Sequence, residues 1–336
     1  MRRAWIILLL LMGVMASCDH KELCLHYPHK ARIRVNVDWS EFTEETPTGM
    51  TVMTYSEDGS APSTVLSNTL DHVYVNLEEG NHHVLTFNQS TSEFGSFLFK
   101  GMDRWEDAKV VSNIITSRWY TGRSSEERVA SEPEWLAIDS DGEVEVTKEM
   151  AETFSEHMGT KTKLVDEFVV STQVPKNVIY TLHAKVHVDG IYNLRSARAA
   201  LSGISEGVKF ATLQRSDDVV TQLLEEWKMT VNKDDPTKGY IEASFKCFGF
   251  PHSHQGDPEE NRFQISVLLV DNKTQLDFEF QVGHLIEIGD YGELTLYLEL
   301  DLPTPLPDVQ PEGGSSGGFD ATVDDWGEEI EHDITM

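Results

Sequence analysis

Apolar and polar side chains alternate along most of this chain with a period of two. Ile33, Val35 and Val37 are interleaved with Arg32, Arg34, Asn36 and Asp38. A one-residue alternation rich in β-branched side chains predicts a half-buried strand. Met50 to Tyr55 predicts a second strand, Val73, Val75 and Leu77 repeat the alternation, and the turn Glu79-Gly80-Asn81 leads into His83 to Phe87. Phe94 to Phe99, Val110 to Thr116 and Leu164 to Thr172 predict further strands, and Ser140-Asp141-Gly142 predicts a hairpin between Glu134–Ile138 and Glu143–Val146. The longest alternation sets Tyr180, Leu182, Ala184, Val186 and Val188 against Thr181, His183, Lys185 and His187. Strands resume at Tyr240 to Phe248, Phe263 to Val270, Leu276 to Val282 and Leu294 to Leu300.

Helical spacing is scarce. Met150, Phe154 and Met158 lie at i, i+4 and i+8, with Thr147 placed to cap the helix and Gly159 to stop it. Asp103 to Ala108 suits one helical turn, and Leu194 to Leu201 a short helix closed by Gly203. Val219 to Trp227 fits either period. Short strands with turns between them predict an all-β chain of two antiparallel β-sandwich domains with a few short helices. The boundary falls at Gln173-Val174-Pro175-Lys176-Asn177, dividing the chain into 31–173 and 174–336. Pro303, Pro305 and Pro307 end the last sheet. A Gly/Ser spacer, 313–318, then leads to 319–336, where Phe319, Ala321 and Val323 share one parity and Trp326 follows. Those residues predict a terminal strand, docked on a sheet edge or donated to a partner. A solvated acidic tail is the alternative.

The start of the chain follows another pattern. Arg2 and Arg3 precede an apolar run from Ala4 to Val14, and Met15-Ala16-Ser17-Cys18 comes next. These are the parts of a secretory signal peptide, 1–17, and the run is too short to span a bilayer. A cysteine directly after small residues resembles a bacterial lipoprotein box, so Cys18 is the expected lipidation site, and 18–30 a polar tether. The exported chain would meet the membrane through that lipid.

Charge narrows the partners. With 27 basic and 57 acidic residues the net charge is −30, and −30 − 2 = −32 once Arg2 and Arg3 are removed. Nucleic acid is disfavoured, because phosphate binding needs a basic surface. Only Cys24 and Cys247 remain beside Cys18, so this is no disulfide scaffold; Cys247 shares the apolar parity of Ile241, Ala243 and Phe245 and is expected to be a buried thiol.

Signals for chemistry are weak. G-x-S-x-G occurs at 203–207 and 313–317, and neither site has the strand–turn–helix context of a nucleophile elbow. His252 and His254 lie near Asp257, Glu259 and Glu260 without a zinc spacing. His183 and His187 share a face but stand about 13 Å apart on a strand. Asp139-Ser140-Asp141-Gly142 begins like a calcium loop and lacks its later ligands. There is neither a P-loop nor a G-x-G-x-x-G. No cofactor, metal or catalytic group is expected. Trp119 and Tyr120, in a long polar loop, either contact a ligand such as a sugar ring or plug a sandwich edge.

Several short motifs carry a family likeness: Ser17-Cys18-Asp19-His20-Lys21-Glu22-Leu23-Cys24, Val186-His187-Val188-Asp189-Gly190, Ala200-Leu201-Ser202-Gly203-Ile204, Phe248-Gly249-Phe250 and Gly318-Phe319-Asp320-Ala321-Thr322-Val323-Asp324-Asp325-Trp326. They resemble Bacteroidales fimbrillin-like surface lipoproteins and fimbrial anchor proteins. The resemblance implies two transthyretin-like sandwiches, an outer-membrane location at the cell surface, and a non-enzymatic role in adhesion as pilus subunit, anchor or accessory, with pilin partners. It also implies that stalk subunits are cut after a basic residue between early strands. Here Asp38 to Met50 holds no Lys or Arg, which suits an uncut anchor or accessory better. The alternative is a surface lipoprotein holding glycan or another host ligand through Trp119 and Tyr120.

Overall fold

The computed structural model describes residues 30–42, 45–120, 122, 124–151, 168–251, 260–289 and 294–311. The chain is all-β. Its first half contributes β1 (Lys30–Val37), β2 (Met50–Ser56), β3 (Ser63–Ser67), β4 (His72–Glu78), β5 (Gly80–Asn88), β6 (Phe97–Lys100), β7 (Lys109–Ser112), β8 (Ile114–Ile115), β9 (Val129–Ala130), β10 (Ala137–Val146) and β11 (Phe168–Gln173). The second half contributes β12 (Lys176–Asn177), β13 (Tyr180–Asp189), β14 (Leu194–Ser205), β15 (Gly207–Lys209), β16 (Val219–Leu224), β17 (Lys228–Val231), β18 (Lys238–Cys247), β19 (Arg262–Leu269), β20 (Gln275–Gln281), β21 (Ile286–Ile288) and β22 (Thr295–Asp301). A 3-10 turn, Ile191–Asn193, joins β13 to β14.

In the first sandwich a three-stranded sheet, β11-β1-β4, faces a five-stranded one, β12-β10-β5-β2-β3. Ala31, Ile33, Val35 and Val37 of β1 meet Met50, Val52, Val84 and Val144 across the gap. The five-stranded sheet is covered on its far side too. There Met53, Leu85, Phe87 and Ile138 pack with Phe97, Val110, Val208, Phe210 and Phe248. Burial on both faces is why β2 and β5 are covered at most positions, their threonines included, instead of at every other one.

The second sandwich sets β17-β18-β13-β22-β21 against β20-β19-β14-β16-β9-β8. The alternation of β13 is kept in full, with Leu182, Ala184, Val186 and Val188 at most 1% exposed. Among the described residues, pairing is antiparallel apart from β1–β11, β13–β22 and β9–β16.

Strand pairing also crosses the chain division at 174–177. β7 pairs with β15, matching Val111 to Gly207, and β9 pairs with β16, matching Val129 to Thr221. A Cβ on Gly207 would stand 2.0 Å from the Val110 carbonyl, so only glycine admits this approach. The division into 31–173 and 174–336 therefore divides the chain but not its sheets. Together with the shared core around Phe87, Phe210 and Phe248, these pairings bind the two halves.

Three expectations from periodicity are corrected. Leu194 to Leu201 is no helix but the start of the twelve-residue β14, central between β16 and β19. Its alanines favour a helix locally, and two flanking ladders override that preference. Gly203, at φ +77°, does not close a helix; it sits where the β14–β16 register shifts between Leu201 and Ile204. Val219 to Leu224, which fitted either period, is a strand. Residues 137–146 form one strand, with a register shift against β5 between Asp139 and Gly142 in place of the expected hairpin turn. The short β3 escaped notice because its side chains are mostly exposed on both faces. The helical turn at 103–108 is present, closed by Ala108 N–H donating to Arg104 O at 3.0 Å. Thr147 Oγ1 accepts from Met150 N–H at 3.3 Å at the start of a helix covering Lys148 to Ala151. Phe154, Met158 and Gly159 lie outside the described residues.

Candidate functional site

Cys18, Cys24, His252, His254, Phe319, Ala321, Val323 and Trp326 lie outside the described residues. Tyr120 is 7% exposed and donates to Glu127 Oε1 at 2.6 Å, which also accepts from Thr221 Oγ1. The Trp119 indole N–H donates to Glu225 Oε1 at 2.6 Å, and the Arg198 guanidinium stands 4.7 Å from its ring centre. With Val129, Ala200 and Leu223 the two rings form a small cluster of their own. The polar groups of both aromatics are thus engaged within the chain.

Ser205 of the first G-x-S-x-G is 1% exposed, and its hydroxyl lies 2.9 Å from Ser216 O and 3.0 Å from Gly207 O. It stands at the end of β14 with β15 following, a strand–strand context. Cys247 is fully buried, and burial pushes its thiol up to about 12, which keeps it protonated and unreactive. Among the described residues, no three His, Cys, Asp or Glu side chains gather as a metal site. No helix among them is long and apolar enough to cross a membrane.

A buried carboxylate marks the seam between the halves. Glu206 is 3% exposed. Arg128 Nη1 donates to its Oε2, and Lys100 Nζ lies 3.4 Å from its Oε1. Both cations come from the first half. Glu206 O accepts from Ser112 N–H, and Glu206 N–H donates to Asp218 O. A buried charge without such partners would be strongly destabilising. Its partners stand 78 and 106 residues away in sequence, and no spacing rule could have linked them.

The outer face of β17-β18-β13-β22-β21 gathers the polar rows seen in the sequence. Register places Lys228, Glu242, Lys185 and Glu299 side by side across four strands. Lys185 Nζ donates to Glu299 Oε1 at 2.8 Å, His187 Nε2 lies 2.6 Å from the same oxygen, and Lys228 Nζ donates to Glu242 Oε1 at 3.1 Å. The Lys185 hydrogen bond, then that from His187, holds the Glu299 carboxyl below its ordinary range. One rung along, the His183 ring stacks on Tyr297 at 5.5 Å and 22°, and its Nδ1 shares a 2.7 Å hydrogen bond with Ser244 Oγ. A groove of about 600 Å³ runs over these residues. A second, of about 360 Å³, is lined by Thr181 and Lys246, two residues along β13 and β18 from His183 and Ser244, and reaches Phe42 and Trp135. His183 and His187 therefore belong to a hydrogen-bonded surface, each bonded to a different neighbour, Ser244 and Glu299.

A family model described as a domain of unknown function, DUF5119, matches residues 17–225. The chain belongs to this family. No curated protein matches it. Among solved structures, this DUF5119 chain is similar to a candidate adhesin from Bacteroides ovatus. That likeness has a TM-score of 0.54 at 13% identity, covering 86% of this chain and 98% of the other. The fimbrial anchor protein Mfa2 from Porphyromonas gingivalis gives 0.46 at 13% identity, over 81% and 90%. A fimbrial assembly protein from Parabacteroides distasonis gives 0.31 at 10% identity, over 76% and 87%. At such identities the likeness is one of fold.

Proposed function

We propose that this chain is a lipid-anchored surface protein of the outer membrane, attached through Cys18, that acts in fimbrial adhesion as an uncut anchor or accessory and carries out no catalysis. The observation that supports it best is the place of β1. It is the middle strand of its sheet, hydrogen-bonded to β4 on one side and to β11 on the other. Its four apolar residues are at most 6% exposed. Cutting it away would open the whole first sandwich, and the loop that follows offers no basic residue to a trypsin-like protease. In this reading, the segment holding Phe319, Ala321, Val323 and Trp326 supplies a strand to a pilin's open sheet edge.

The test is isolation of surface fimbriae from cells carrying wild type or Cys18→Ala, with a palmitate analogue as label. Wild type should be labelled, remain full length from Cys18 and co-purify with pilin, while Cys18→Ala should be unlabelled and released. Equal labelling of both forms overturns the anchor. Absence from fimbriae overturns the pilus role.

A further inference from the structure

The outer face of the second sandwich has the build of a binding trough. Along β13 the outward residues run Thr181, His183, Lys185 and His187, a span of about 20 Å. Aromatic groups recur along that line. At the Thr181 end stand Phe42 and Trp135, whose rings meet edge-on at 5.1 Å. Tyr297, 46% exposed, stands beside His183. Tyr240 stands beside His187, with Lys185 Nζ 4.9 Å from its ring centre.

The polar groups between the rings are fixed. Lys185, Lys228 and Lys246 each lie against a carboxylate on another segment, Glu299, Glu242 and Glu45 respectively. An ammonium group in such a pair has further N–H donors available for a ligand. Glu41 and Glu226 add uncompensated negative charge to the rim. That rim, on a chain of net charge −30, repels polyanions.

The geometry points to an uncharged polysaccharide, laid in extended form along this trough, as the ligand. A pyranose has an apolar C–H face that stacks on an aromatic ring and an edge of hydroxyls that bond to carboxylates, amides and ammonium groups. Rings at successive levels of β13, on the strands to either side of it, with paired hydrogen-bonding groups between them, match that repeating chemistry. This deepens the adhesion reading by naming the class of ligand held, and it places the contact on Tyr297 and Trp135 rather than on Trp119 and Tyr120.

The experiment is affinity electrophoresis of the detergent-extracted full chain in native gels holding mannan, xyloglucan or galactomannan, with polygalacturonate and heparin as charged counterparts. At least one neutral polymer should retard the chain. Tyr297→Ala and Trp135→Ala should each weaken that retardation about threefold to tenfold, while Tyr297→Phe and Trp119→Ala leave it unchanged. Ser244→Arg, at an exposed position on the trough floor, should block binding without touching the core, so the test survives poor folding of an aromatic variant. No retardation by any neutral polymer overturns the proposal, as do retardation by the polyanions alone or aromatic variants that bind like wild type. None of these variants alters the Cys18 anchor, so co-purification with pilin still reports separately on the fimbrial role.

Discussion

Glu206 shows how much one residue can carry in this chain. It is buried at the seam, and its two cations arrive from strands and loops of the other half. Arg128 and Lys100 are partly exposed and can recover water when released, which limits the loss. Glu206→Ala is expected to cost about 1–3 kcal/mol in denaturant unfolding, and Arg128→Ala within that range. Their double mutant should cost less than the sum, because both remove one interaction. Glu134 is the counterpart at the surface. Burial alone would raise its carboxyl, but hydrogen bonds from Ser96 N–H, Ser96 Oγ and Gly95 N–H outweigh that and lower it. A carboxyl lowered on folding adds stability that is present above its unfolded pKa and lost as pH falls through its folded one. The melting temperature of wild type should therefore drop below about pH 4.5 more steeply than that of Glu134→Gln.

Gly203, the pivot of β14, tests the scale of single elements. At φ +77° it turns the strand between its two partners, and a Cβ there would stand 2.6 Å from Asn261 Nδ2 and 2.9 Å from Glu260 O. Gly203→Ala should cost about 1–3 kcal/mol through strain and displacement of the 260–261 segment, measured by chemical denaturation. Unchanged stability would show that the bulge relaxes freely. The terminal segment is the other element to test. Removing residues 319–336 should leave the fold intact and abolish co-purification with pilin if those residues are donated to a partner. A fall in melting temperature would instead show that they dock on their own sheet.

The whole molecule is held by a core that belongs to neither half alone. Phe87 and Ile138 from the first half pack with Val208, Phe210 and Phe248 from the second, and the strand pairs β7–β15, β9–β16 and β10–β12 join the halves. Calorimetry should show one cooperative transition. Phe210→Ala should lower stability by about 3–5 kcal/mol and shift that single transition without splitting it. Two separated transitions would mean that the seam couples the sandwiches weakly.

Strands with one wet face were legible from the chain alone. β1, β4, β13 and β22 each alternate cleanly, and the outward rows that form the trough were visible as polar parities before any neighbour was known. The expectation of an export signal with lipidation at Cys18 rests on equally local patterns, a short apolar run and a cysteine. What only the tertiary structure decided is where distant segments compensate one another. The helical look of Leu194 to Leu201 gave way to β14 because two neighbouring ladders outweigh the preference of alanine. Asp139 to Gly142 became a bulge because β5 pairs on both sides of it. Glu206 found its cations, and Trp135 came to border Thr181, across separations that no local pattern encodes. A strand's face is set by its own period, whereas its partners are set by which buried surfaces can close on one another.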